Sequence, residues 1–446
     1  MNSIQSFLRE GVKSPVQPKT ILEVATLLFH RNDFSSSKAF EEHEREVITR
    51  VSGLYKEVKD KAPVKEQVFA VARKSSHVHS TTPPPETSEQ EQTERDPTTK
   101  LIMNMRGVAV AATYLKQKHG IEHLYVCKSL EDFQIEIEKF SRDSKILKAS
   151  FVICIRGYEP GDIEFEAMHK VTIGAEKIGE KLILAILDSM SAADLGIGSF
   201  ASVLPYSAKE LEQKEIYSGL DLMWYVARSQ LDWENTVIAF SNVDRQEGRG
   251  CETFSLRDAV CFMKNPSFFS EVKMDSFFTY QNKNMGKAVL KMAVIESLPP
   301  EFMKVSQNSS DLECYIEENP LASRPLYTSS QKPVHKLEES LVKHTVLEKQ
   351  VMGHVLRSVT DENGVVTNRF EEQYGDEDKK VNLLIQKRSL KYHTIVALAF
   401  ALLPTEELDR QISSTFRATY KSSFEEGQEP KTINDLHRLV RIKSRL

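Results

Sequence analysis

Residues 168–189 read MHKVTIGAEKIGEKLILAILDS. Two strand-like runs lie in this stretch. Positions 168–173 alternate apolar and polar side chains, and 181–188 is a short continuous apolar run. The charged segment between them, GAEKIGE (174–180), predicts a β-hairpin. Working outward, ASFVICI (149–155) and TVIAF (236–240) are branched, apolar and short, as expected of buried strands. Helical patterns flank them at 104–119, at 207–230, and at 251–264, where Phe254, Ala259, Phe262 and Met263 are the apolar positions. Strands gathered between helices predict an α+β fold.

The chain has 446 residues, enough for two or three domains or for one large domain with extensions. With 40% hydrophobic and 28% charged residues it can build an ordinary core. A formal net charge of −5 argues against a broad nucleic-acid-coating face. The longest apolar candidate, 395–403, is too short to span a bilayer, so no transmembrane segment is expected. The opening residues MNSIQSFLREGVKSP lack the charged start, long apolar stretch and small-residue cleavage site of a standard secretory signal. The five cysteines (Cys127, Cys154, Cys251, Cys261 and Cys314) are scattered and form no CxxC, which fits reduced thiols better than a disulfide framework or a metal site.

Four segments follow from composition. Residues 1–74 alternate helical patterns with polar breaks, including an apolar face of Val47, Ile48, Val51 and Leu54. Residues 75–99 contain four prolines and one bulky aliphatic side chain, so they are expected to be a disordered linker. The dense region 100–320 is the expected catalytic domain. Residues 321–446 look mostly helical and polar, ending in RLVRIKSRL with four positive charges.

Three residues form a candidate catalytic set. His169 lies in the first strand, Asp188 ends the next strand, and Cys251 opens a helix after the loop DRQEGRG. The thiolate is the nucleophilic form of cysteine, an imidazole can remove the thiol proton, and a carboxylate can orient that imidazole. A helix N-terminus adds positive potential at the thiol. Gln246, five residues earlier, can donate an amide N–H to a developing oxyanion. Each residue alone has an ordinary structural reading, as a satisfied histidine, a strand-end turn residue or a small buried thiol.

The order His, acid, Gln, Cys, with DRQEGRGCETFSL (244–256) around the cysteine, resembles the YopJ/AvrRxv family of bacterial effector acetyltransferases. MNMRGVAVAATYLKQKHGIEHL (103–124) is similar to the family's helix leading into the catalytic domain. MHKVTI (168–173) and LILAILDS (182–189) are similar to its histidine and acid strands. LPPEFMKVSQNSSDL (298–312) resembles a further family segment.

The resemblance implies a Ulp1-like cysteine-protease core, with a helical regulatory region formed by the flanking segments. It implies that His169 is the general base, Asp188 its orienting acid, Cys251 the acetyl-accepting nucleophile and Gln246 the oxyanion donor. Lys304 matches a lysine that can be autoacetylated. Acetyl-coenzyme A (acetyl-CoA) is the implied donor, and Ser, Thr or Lys side chains of host proteins the acceptors. The implied activator is inositol hexakisphosphate (IP6). Lys387, Arg388 and Lys391 of QKRSLKYH (386–393), with Arg106, are the expected anion ligands. The implied destination is the host cell cytoplasm, reached through a specialised bacterial secretion system.

Three features depart from the pattern. Glu252 follows the nucleophile, so it is expected to point away from Cys251, because a neighbouring carboxylate opposes thiolate formation. The gap of 63 residues from Asp188 to Cys251 is long, and an extra helix near 207–230 is expected to fill it. The segment between Lys304 and Lys387 matches poorly. An isopeptidase acting on ubiquitin-like tails is the alternative on the same fold, since both reactions pass through an acyl-cysteine. Protease relatives place Trp after the catalytic His; Lys170 stands there, which favours the transferase.

Overall fold

The structure is a computed structural model. It describes residues 100–155, 169–189, 229–241, 243–246, 250–281, 289–307, 309–327, 336–360 and 366–418, with short stretches at 19–26 and 69–72 and single positions around 35–47 and 222–226. The linker 75–99, the terminal 438–446 and most of 1–74 and 207–230 lie outside the described residues.

The first described elements are α1 (Ile21–Thr26), β1 (Phe69–Ala72), β2 (Lys100–Met103), α2 (Met105–His119), β3 (Leu124–Cys127), α3 (Leu130–Arg142) and β4 (Lys148–Cys154). Next come β5 (Lys170–Ile178), β6 (Lys181–Leu187), β7 (Thr236–Ser241), α4 (Cys251–Lys264), α5 (Phe268–Glu271), β8 (Lys273–Gln281) and β9 (Val289–Ser297). The chain continues through α6 (Pro300–Met303), α7 (Ser309–Glu318), α8 (Leu337–His344), β10 (Thr345–Thr360), β11 (Val366–Asn382), α9 (Leu384–Leu402), α10 (Thr405–Ile412) and β12 (Phe416–Arg417).

Eight strands form one mixed sheet in the order β12-β3-β4-β5-β6-β7-β9-β8. The β5–β6 hairpin lies at its centre, antiparallel, with Ile178 opposite Lys181. Its turn is shorter than the charged segment 174–180 suggested, because residues 174–178 stay in the strand: Glu176 pairs with Lys148 of β4 at 2.9 Å. Gly179 supplies the left-handed φ of 62° that the two-residue turn needs. At the hairpin's open end His169 precedes β5 and Asp188 follows β6.

Helix α4 lies against β4 and β5 and is buried from Glu252 to Phe262. Thr172 of β5 donates its hydroxyl to the Ser255 carbonyl at 2.6 Å. Gly174 makes the approach possible, since a Cβ there would lie 2.6 Å from the Phe262 ring. Helices α2, α4, α9 and α10 share one core with Ile21 of α1, through Val108, Leu256, Val260, Ile395, Leu398 and Leu408. A second core packs Phe133, Ile137 and Phe140 of α3 on Phe151, Ile153 and Ile173. Local signals start these helices: Asn104 caps α2 by accepting from the Gly107 N–H, and Ser129 with Asp132 forms a capping box on α3.

The flanking segments converge on α9. Phe40 packs with Leu383 and Leu390, and the Ile21 N–H donates to Gln411 Oε1 at 3.0 Å. The helical expectation for 321–446 fails over 345–382, where β10 and β11 form a two-stranded antiparallel ribbon. Valines at 351, 355 and 359 recur every fourth residue and imitate a helical face. The decisive signals were the β-branched content and Asn363-Gly364 between the strands. No helix among the described residues is long and apolar enough to cross a membrane.

Candidate active site

Gly250 precedes α4 with φ 128°, a backbone conformation that L side chains rarely adopt. Its carbonyl accepts from the Thr253 and Phe254 N–H groups at 2.8 and 2.9 Å. Cys251 therefore stands in the first turn of a 14-residue helix, half-buried, at the positive end of its dipole.

His169 is anchored through its carbonyl, which accepts from the Ile155 N–H at 2.9 Å. Its Nε2 lies 2.7 Å from Asp188 Oδ1, both side chains buried. This leaves Nδ1 for its hydrogen bond with Cys251. Burial by itself disfavours the imidazolium. The Asp188 carboxylate and the Cys251 sulfur outweigh burial and raise the pKa to about 10. A proton leaving Cys251 thus has a strong local acceptor.

Ser189, directly after Asp188, donates its hydroxyl to Gln246 Oε1 at 2.6 Å. This anchors the carbonyl end of the amide, and its donor end is Nε2. Arg245, the residue before it, is fully buried and makes a bidentate pair with Asp258 of α4 at 2.8 and 2.7 Å. Its guanidinium also reaches the Asp188 carbonyl at 3.5 Å. Its backbone N–H donates to Ser189 O at 3.0 Å, and its carbonyl accepts from the Gln307 N–H at 2.8 Å. Arg245 and Asp258 were missed from sequence; the signal was an arginine adjoining the expected oxyanion donor.

Glu252 does not point away. Its Oε2 lies 3.5 Å from Cys251 Sγ, and its Oε1 lies 3.4 Å from His393 Nε2 of α9. Burial opposes its charge, but His393 and Lys170 prevail and lower its pKa to about 2.

A second cluster is basic. Lys387, Arg388 and Lys391 of α9 meet Lys118 and His119 at the end of α2, Arg257 of α4, Lys304 after α6 and His344 at the end of α8. Lys118 and Lys391 lie 5.6 and 5.7 Å from the Tyr114 ring centre. Burial first, then mutual repulsion, lowers Arg388 to about 10, Lys391 to about 8 and Lys304 to about 7. The Nε atoms of Arg257 and Arg388 are buried with no hydrogen-bond partner among the described residues. Arg106 does not join this cluster. It pairs with Asp409 of α10 and lies 5.4 Å from the Phe400 ring centre. Lys118, His119, Arg257 and His344 were not foreseen, because they sit on elements far from QKRSLKYH in sequence.

A search of curated protein sequences finds no match. Among solved structures, an AvrA deletion variant with IP6 and CoA is 16% identical, covers 79% of this chain and 98% of its own, and has a TM-score of 0.40. HopZ1a in complex with IP6 and CoA is 10% identical, covers 78% of this chain and 97% of its own, and also has a TM-score of 0.40. The family model described as YopJ serine/threonine acetyltransferase matches residues 103–391, well over half of the chain and a span that includes His169, Asp188, Gln246 and Cys251. The chain belongs to the YopJ serine/threonine acetyltransferase family.

Proposed function

We propose that His169, Asp188 and Cys251 move acetyl from acetyl-CoA to Ser, Thr or Lys side chains of host proteins through an acetyl-cysteine. The single observation that carries this reading is the 2.7 Å His169–Asp188 bond beside a cysteine at a helix N-terminus. His169 takes the Cys251 proton, and the thiolate attacks the thioester carbonyl. The Gln246 amide donates to the oxyanion. Collapse expels the CoA thiolate, which takes the proton from His169. In the second half, His169 removes the acceptor's proton, the acceptor attacks acetyl-Cys251, and Cys251 leaves as thiolate. Residues 100–320 supply the chemistry, while 1–74 and 321–446 serve regulation and delivery by a bacterial secretion system.

The basic cluster fits IP6. Several partly buried cations converge, and two guanidinium Nε donors lack partners among the described residues. Lys387, Arg388 and Lys391 hold the polyanion in this reading, with Lys118, Arg257 and Lys304 opposite. Lys304, near neutrality by burial, is also the amine suited to autoacetylation.

The test uses purified protein with radiolabelled acetyl-CoA, with and without IP6. Label on wild type that requires IP6 and is absent in Cys251→Ala supports the reading. Equal label on Cys251→Ala sinks it.

IP6 binding also carries a proton signature. Lys304 and Lys391 are incompletely charged at pH 8, and a bound polyanion pulls their pKa values back toward the ordinary lysine range. Calorimetry in two buffers of different ionisation enthalpy should show uptake of roughly one proton at pH 8. Affinity should weaken from pH 7 to pH 9. Arg388→Glu should weaken binding at least about tenfold, the loss of one charge-assisted contact. No proton uptake and unchanged affinity would remove the polyanion from this cluster.

A further inference from the structure

Glu252 occupies a position hostile to its own neighbour. A carboxylate 3.5 Å from a nucleophilic sulfur opposes formation of the thiolate unless its charge is answered. Lys170 and His393, from two other elements, face it.

Lys170 opens β5 directly after His169 and stands opposite Cys154 of β4. Its side chain is 1% exposed, and its Nζ has no hydrogen-bond partner among the described residues. Enclosing an ammonium that deeply is costly unless negative charge is near. Glu252 and Cys251 are the groups that supply it, with Cys154 beside them. His393 comes from α9. Its Nδ1 lies 2.7 Å from the Ser389 carbonyl, which only an N–H can satisfy. Its Nε2 faces Glu252 Oε1 at 3.4 Å, so a favourable contact there needs a proton on that nitrogen as well.

Among the described residues, charged groups from several elements meet near Cys251. His169 just before β5, Lys170 opening β5 and His393 on α9 face Asp188 after β6 and Glu252 on α4, with Cys154 of β4 beside Lys170.

We propose that Lys170 and His393 are positioning residues that clamp and neutralise Glu252, and that His393 thereby makes the Cys251 thiolate depend on α9 lying against α4. The clamp rests on Cys251 being the nucleophile. It also gives the helix that carries Arg388 and Lys391 a direct physical line to the sulfur. Withdrawal of α9 removes the His393 contact and leaves Glu252 answered by Lys170 alone.

The test is alkylation of the full-length protein by iodoacetamide across pH, with the Cys251 peptide quantified by mass spectrometry. His169→Gln must slow Cys251 labelling; if it does not, the nucleophile assignment itself fails and the clamp is not at issue. Lys170→Met should move the Cys251 pH profile up by about one unit, a tenfold loss of rate at neutral pH. His393→Gln should move it in the same direction by less. Adding Glu252→Gln to either variant should bring the profile back to within about threefold of wild type. The cycle through His393→Gln and Glu252→Gln carries the test should Lys170→Met prove unstable by circular dichroism. An unmoved profile in both single variants, or a shift that Glu252→Gln fails to reverse, overturns the clamp.

Discussion

Replacing His169 by Gln should lower the rate of acetyl-Cys251 formation by about 10²–10⁴-fold. The amide keeps roughly the reach of the ring but cannot accept the thiol proton. Burst-phase CoA release from saturating acetyl-CoA measures the step directly, and a loss of less than tenfold would exclude His169 as the base. The same variant tests the site's electrostatics. The His169 pKa is raised from the ordinary 6.5 to about 10 in the folded protein, so the native state holds the ring proton more tightly than the unfolded chain. That stabilisation is complete below pH 6.5 and fades as pH rises toward 10. Denaturant unfolding of wild type and His169→Gln should therefore differ most near pH 6 and converge by pH 10. The opposite trend would mean that the resting ring is neutral.

The second large effect lies behind the site. Asp258→Asn should cost about 3–5 kcal/mol of stability, the usual penalty for stranding one member of a buried ion pair. Arg245 and Asp258 are 0% and 1% exposed, so water cannot replace the lost carboxylate. The transition temperature should fall by roughly 10 °C. Activity should fall as well, because Arg245 ties the Gln246 loop to Ser189, Asp188 and Gln307. The double variant Arg245→Met with Asp258→Leu should regain much of the stability, since two apolar groups leave no uncompensated charge. A single variant that loses less than about 1 kcal/mol would show that the pair is not the anchor of this loop.

Local order was legible where residues answer to one element at a time. The apolar runs at 149–155, 181–188 and 236–240 became β4, β6 and β7, and the helix starting at Cys251 begins where its spacing placed it. Burial on both faces leaves a strand little choice of composition, which is why short branched runs read clearly. The ribbon at 345–382 was misread because its valines repeat at a helical interval while its pairing partner lies beyond an Asn-Gly turn.

By itself the sequence determined the α+β class, the central hairpin and the order His, acid, Gln, Cys, since period and order are properties of the chain. Only the tertiary structure decided the distances that turn this order into a candidate site. It brought Asp188 within 2.7 Å of His169 across the open end of a hairpin. It drew Arg106 to Asp409 instead of the basic cluster, and gathered Lys118, Arg257 and Lys304 around Arg388. It also set Glu252 against Cys251 and supplied Lys170 and His393 to answer it. Charge balance in a buried site depends on side chains that meet from distant elements, and no single stretch of sequence records that meeting.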